Sequence, residues 1–351
     1  MAAPTSAGEH PPKGMDDERT SARGVGPRLI IAAVALAVVA VVAVPVLSRP
    51  AAQRPTSPRV ALSPDAERPS PPGAWAGGQP HREEHLSPTL ECLKPLATPK
   101  AAPRPGDWLD RHPEPGQLVA DLQAERPPAG WPKGRAFYLA TIGPLSEAER
   151  RLLERTRELL ATWFQRPVEW LEPLPESAVS PAFRRPRANG PQWQTTPILD
   201  AVQARRPDDA IAVMAFTAVD LYPDPEWNFV FGEARPDARV GVTSLARLGQ
   251  ADSALALSRT VATGAHELGH MLGLAHCVAF ECVMNGSNSL EEADATPLEP
   301  CPVCLEKLRV RLDLDVVARA EAMAPAWRDA GFPDPARQLD AARSLWRDAG
   351  P

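Results

Sequence analysis

The rhythm of hydrophobic and polar positions changes sharply along this chain. Residues 1–28 are small, polar and mixed in charge, with no apolar period, and predict a disordered tail. Leu29 to Leu47 is then a run of nineteen residues, all Ala, Val, Leu and Ile apart from Pro45. As a helix rising 1.5 Å per residue it would span about 28 Å, close to the hydrocarbon thickness of a bilayer. It has no polar face to suit a buried core helix. It is also longer and farther from the N-terminus than the apolar core of a usual cleaved signal peptide, its main rival reading. The run therefore predicts a transmembrane anchor. Residues 48–103 are dense in Pro, Arg, Ala and Ser, cannot build a core, and predict an extended, semi-rigid linker.

Periodic apolar positions return near Asp107-Trp108-Leu109, and a compact domain is expected over residues 104–325. Arg135 to Ile142 (RAFYLATI) reads as its first strand. Ser146 with Glu149 three residues on forms a capping box, opening a helix through Leu152, Leu153, Leu159, Leu160 and Trp163 to about Phe164. Val168 to Leu171 is a second strand. Strand, helix and strand in alternation predict an α/β fold, a sheet with helices packed on it. Residues 173–192 are polar and proline-rich and read as a surface excursion. Thr196 to Ala204 suits a short helix, and Ala210 to Phe216 (AIAVMAF) a buried central strand. The aromatics of Trp227-Asn228-Phe229-Val230-Phe231 suit core packing, with substrate contact as the alternative. Val240 to Leu245 (VGVTSL) reads as a strand that could edge a cleft and pair with an extended peptide. A long helix should begin between Ala254 and Ser258 and end at Gly273. Residues 326–351 read as a helical tail carrying a duplicated WRDAG, each copy placed to end a helix at its Gly.

Composition changes the picture little. The 42 prolines are densest in the first 135 residues, and a net charge of -6 gives no electrostatic footprint for nucleic acid. Histidine is informative because it is scarce. Of seven, four (His10, His81, His85, His112) precede the strand–helix region, and each of the others belongs to one motif, HELGHMLGLAH, over 266–276. On a helix His266 and His270 leave the same face and can meet one metal ion. Glu267 lies beside that ion as a base rather than a ligand. Gly273 can take the left-handed conformation that stops the helix, and the returning chain can bring His276 in as a third ligand. Three imidazoles leave zinc an open position for water, the arrangement of a catalytic site.

Cysteine makes a second cluster. Cys277, Cys282, Cys301 and Cys304 supply the four thiolates of a closed structural zinc site, with two disulfides as the alternative. A nucleic-acid-binding zinc ribbon fits poorly, because Glu291, Glu292, Asp294 and Glu299 in the intervening loop would repel phosphate. Met284 lies two residues beyond Cys282, where a Met-turn would set a thioether beneath the metal. Cys92 has no metal-site company and no assigned role.

The stretch HELGHMLGLAHC-x4-CVMNGSNSLEEAD with CPVC beyond it resembles the archaemetzincins, as do DLYPDPEWNFVFGEA and GVTSLAR upstream, and more closely the animal members. The resemblance covers about Phe137 to Val317, with a weaker beginning near Asp107. It implies a compact mixed-sheet metzincin-like metalloprotease domain with zinc in both sites. By position, His266, His270 and His276 would hold the catalytic zinc and Glu267 would be the general base. Met284 would form the Met-turn, and Cys277, Cys282, Cys301 and Cys304 would hold the structural zinc. The anchor and linker depart from that family's core.

The expectation is therefore a zinc-dependent metallopeptidase acting on peptide or protein substrates. Its rival is a membrane-tethered, zinc-stabilised binding module without turnover, whose mark would have been the loss of Glu267. An enzyme acting on another amide, such as a cell-wall peptide, also stays open. Arg19, Arg23 and Arg28 before the apolar run balance Arg49, Arg54 and Arg59 after it, so charge does not orient the anchor. A long C-terminal domain behind a short tail and a proline-rich spacer favour a catalytic domain outside the cytoplasm.

Overall fold

The structure, a computed structural model, describes residues 60–61, 86–125 and 134–349. The tail, the Leu29–Leu47 run and most of the proline-rich stretch lie outside the described residues. Among those described, no helix is long and apolar enough to cross a membrane.

The main sheet contains β1 (Val60–Ala61), β2 (Ala136–Thr141), β3 (Val168–Trp170), β6 (Ala210–Thr217), β8 (Gly232–Arg235) and β9 (Val240–Ser244), in the order β1-β8-β9-β6-β2-β3. The four strands β9, β6, β2 and β3 run parallel to one another, whereas β8 is antiparallel to β9 and β1 antiparallel to β8. Parallel neighbours need crossovers, and helices α4 (Glu147–Phe164) and α5 (Thr195–Ala204) serve as two of them. The capping box is present at α4: Ser146 Oγ accepts from the Glu149 N–H at 3.2 Å, and the Ser146 N–H donates to Glu149 Oε2 at 2.6 Å. Alternation then assigns the two sheet faces. Phe137, Leu139, Met214 and Phe216 pack with α4 and with α6 (Ala254–Met271), while Ala140, Val213 and Ala215 pack with Ile198, Leu199 and Val202 of α5. Every residue of β6 is buried, as its unbroken apolar run required.

One expectation is refined and three are corrected. The stretch 173–192 runs mostly over the surface, as expected, but it is ordered. Its end forms β4 (Arg184–Arg187) and β5 (Gly190–Gln194), an antiparallel pair extended by β7 (Asp220–Tyr222) into a second sheet. Polar contacts organise it: Gln192 donates to Asp220 Oδ2 at 2.6 Å, and Arg185 stacks on the Tyr222 ring at 3.8 Å. Such contacts leave no apolar period to read. Secondly, VGVTSL is not an edge strand, because β9 lies between β8 and β6; the strand outside it is β8.

Thirdly, the linker ends earlier than residue 103. Helix α1 (Pro88–Glu91) seats Leu90, fully buried, with Leu93 against Leu305, Val316 and Ala342. The Lys100 N–H then donates to Ala279 O at 2.9 Å. A few well-spaced leucines suffice to dock a segment whose proline content otherwise signals an extended chain. Two short helices follow, α2 (Trp108–Arg111) and α3 (Val119–Ala124). Fourthly, residues 326–349 are integral to the domain. Helix α9 (Val316–Ala330) runs across the expected boundary, and α10 (Pro333–Ala349) packs on it. Buried Arg319 donates to Trp163 O and to Glu299 Oε2, each at 2.7 Å, and Trp327 Nε1 donates to Glu299 Oε1 at 2.7 Å. The first WRDAG ends its helix at left-handed Gly331 as expected, and the second Gly lies outside the described residues.

Candidate active site

Helix α6 begins at Ser253, whose Oγ accepts from the Ala256 N–H at 3.0 Å, and runs to Met271. Its end is a Schellman arrangement: the Leu274 N–H donates to Gly269 O at 3.1 Å, and the N–H of Gly273, at φ 89°, donates to His270 O at 2.9 Å. This reversal returns the chain towards the helix and brings His276 to within ring-to-ring distances of 5.2 Å from His266 and 4.9 Å from His270. The three side chains are buried, and one nitrogen from each lies within 4.8 Å of the others.

Hydrogen bonding decides which nitrogens these are. His266 Nδ1 lies 2.9 Å from Val283 O, His270 Nδ1 2.7 Å from Leu274 O, and His276 Nδ1 2.9 Å from Glu114 Oε1. Every partner is an acceptor, so each Nδ1 carries a proton and each Nε2 is the nitrogen left to face inward. Burial holds His266 as the neutral imidazole, with a pKa of about 3, and lowers His270 in the same direction. His266 and His270 bring their Nε2 atoms 2.9 Å apart, and His276 Nε2 is buried with no protein partner. Converging neutral donors of this kind suit a divalent metal ion.

Glu267 lies on the same helix, buried, with neither carboxylate oxygen hydrogen-bonded among the described residues. Burial, and then the charge of Glu233, push it well above the usual carboxylate range. Glu233 is itself buried on β8 and accepts from Thr195 Oγ1 at 2.5 Å. Gly232 admits this approach, because a Cβ there would stand 2.9 Å from Glu267 Oε1. Met284 is buried under the helix, and a Cβ on Gly269 would fall 2.5 Å from its sulfur. The small residue between the two helical histidines is what lets the thioether pack there.

The thiols also assemble. Cys277, Cys282, Cys301 and Cys304 are free and buried, with their sulfurs within 4.8 Å of one another. Cys282 Sγ accepts from the Cys301 N–H at 3.2 Å, and Cys301 Sγ accepts from the Cys304 N–H at the start of α8 (Pro302–Leu312). Hydrogen bonds from the other three pull Cys277 well below the usual thiol range, while burial pushes Cys301 well above it. With no cation this buried space favours the thiol at Cys301 and Cys304, and four thiolates there would need a cation to be stable together. Cys92 stays apart, its Sγ donating to Thr89 O.

A cavity of about 200 Å³ opens beside His266, walled by Phe231, Leu248, Ala262, Leu290 and Leu298. The paired Arg259 and Asp294, 2.6 Å apart, also line it. In the aromatic stretch, Phe231 is buried in the core and also lines this cavity, and Phe229 is half-buried beneath the Arg247 guanidinium at 3.4 Å.

Two residues at the site carried no signal in the sequence. Glu233 sits in a stretch noticed for its aromatics. Glu114 lies 162 residues before its partner, in a segment with no motif, and nothing local could have found it.

A profile of Peptidase family M54 matches residues 199–310, the span holding both clusters. Archaemetzincin-2 of Pongo abelii is 32% identical over 294 residues, covering 72% of this chain and 79% of that protein. Archaemetzincin-2 of Homo sapiens is 31% identical over 294 residues, with the same coverage. Among solved structures, archaemetzincin from Methanopyrus kandleri is 32% identical and covers 52% of this chain and 97% of its own, with a TM-score of 0.44. Identity at this level across most of the animal proteins, with the peptidase profile lying over the assembled histidines, makes the chain a member of the archaemetzincin family of zinc metallopeptidases.

Proposed function

We propose that His266, His270 and His276 hold one zinc ion at which Glu267 acts as general base in peptide-bond hydrolysis, and that the four clustered cysteines hold a second, structural zinc. One observation carries the reading: three buried imidazole nitrogens converge beside a buried carboxylate that has no hydrogen-bond partner among the described residues. Zinc held there would acidify water and polarise a substrate carbonyl. Glu267 accepts the proton of the attacking water and delivers it to the departing amine. Its environment suits both duties. Burial and then Glu233 raise its proton affinity, which suits a group that must take a proton, and a dication nearby would act in the opposite sense and ease its release.

The cavity beside His266 supports a preference for an apolar side chain next to the scissile bond. The test is a mixed-peptide digest with the full chain, read by mass spectrometry. Cleavage should stop with chelator, return with zinc, and favour medium-sized apolar residues at one position flanking the cut. Zinc-loaded protein that cuts nothing would favour the binding-module reading.

The length and apolarity of Leu29–Leu47 support a membrane tether, with the catalytic domain outside the cytoplasm. Protease added to intact cells should then cut before residue 86 and release the domain. A domain that survives until the membrane is permeabilised would reverse the orientation.

A further inference from the structure

The three histidines are not held alike. His266 and His270 are fixed by α6 and bond to neutral backbone carbonyls. His276 stands in the loop beyond Gly273, where no helix fixes its ring, and it alone faces a carboxylate. Its Nδ1 lies 2.9 and 3.0 Å from the two oxygens of Glu114.

We propose that Glu114 is the positioning residue for the third histidine: it fixes the ring and the tautomer of His276, so that Nε2 presents a lone pair to the metal. An ionised carboxylate can only accept, so the proton must stay on Nδ1. The two remaining imidazoles have dipolar partners, so among the described residues Glu114 supplies the one formal charge bonded to the histidine cluster. That charge enriches the third imidazole as a donor and offsets part of a dication's charge.

Glu114 is braced in turn. Trp108 Nε1 donates to its Oε1 at 2.8 Å, and the Trp108 ring meets His276 edge-on with centroids 5.0 Å apart. Trp108 rests on Gly286, where a Cβ would fall 2.4 Å from the indole, and its backbone N–H donates to Glu292 Oε1 at 3.0 Å. The contacts Glu292–Trp108–Glu114–His276 thus join a segment outside residues 199–310 to the turn after Met284. The metal site of this chain is incomplete without residues 108–114.

The inference rests on the zinc reading of the histidines, and the experiment separates the two. Zinc affinity of the full chain is measured by competition with a chromophoric chelator for wild type, Glu114→Gln and Glu114→Ala, with cobalt spectra and melting temperature alongside. Removing such a partner weakens metal binding by about 10–100-fold, which is expected for Ala. Gln, whose amide oxygen still accepts from Nδ1, should lie between Ala and wild type. Zinc at the cysteines should stay, and kcat should fall with little change in KM because Glu114 does not touch substrate. Should Ala not fold, Gln alone decides: weakened zinc binding supports the inference and wild-type affinity overturns it. Equal affinities in folded Ala and wild type also overturn it. Wild type that takes no readily chelated zinc would sink the zinc reading itself.

Discussion

Glu267→Gln should lower peptide hydrolysis at least ~100-fold, the low end for losing a general base, while leaving zinc content unchanged. The separation of effects follows from the geometry. In the proposed site metal is left to the three imidazoles, whose Nδ1 partners are Val283, Leu274 and Glu114, so nothing that orients these rings involves residue 267. Gln has nearly the same volume and suits a buried position whose two oxygens lack protein partners. It cannot accept a proton at neutral pH. It also removes the like charge facing Glu233, so the folded state should not weaken. Activity assays with elemental analysis on the same preparation make the check. Full activity with full zinc would remove Glu267 from the role proposed for it, whereas loss of zinc would mean that it coordinates.

Cys304→Ser should act on stability first. The four sulfurs are buried within the main hydrophobic core, and they tie the loop at Cys277, next to His276, to the start of α8. If they hold zinc, removing one thiolate opens a closed shell whose binding energy is folding energy. A loss on the order of 3 kcal/mol or more is expected, as for other substitutions that destroy a metal site. For a domain of this size that corresponds to roughly 10 °C in Tm. Because Cys277 adjoins His276, zinc at the histidines should loosen as well, so activity falls together with Tm. Glu267→Gln, by contrast, should lower activity alone. Thermal melts and zinc analysis test this pair. A Cys304→Ser protein with the wild-type Tm and two zinc ions would exclude a structural metal at the cysteines.

Much of the site could be read in the sequence because its parts lie close along the chain. Helical spacing puts His266 and His270 on one face, Gly273 permits the reversal, and His276 follows within a single turn. Local physics fixes such geometry before any packing is considered. The central strands and α4 were legible for a related reason: burial on one face or both imposes an apolar period, and a cap imposes a polar residue at a known offset.

Tertiary structure decided what depends on pairing over long separations. The place of β9 inside the sheet is a matter of strand order, which no single strand encodes. The second sheet rests on hydrogen bonds and on stacking of Arg185 over Tyr222, neither of which leaves a hydrophobic rhythm. Leu90 and Leu93 looked like isolated apolar residues in a proline-rich stretch until α8, α9 and α10 supplied the surface that buries them. Glu114 carries the same lesson at the site itself. A carboxylate in an unremarkable segment takes a role only because the fold sets it 2.9 Å from His276, and a sequence read residue by residue holds no distance of that kind.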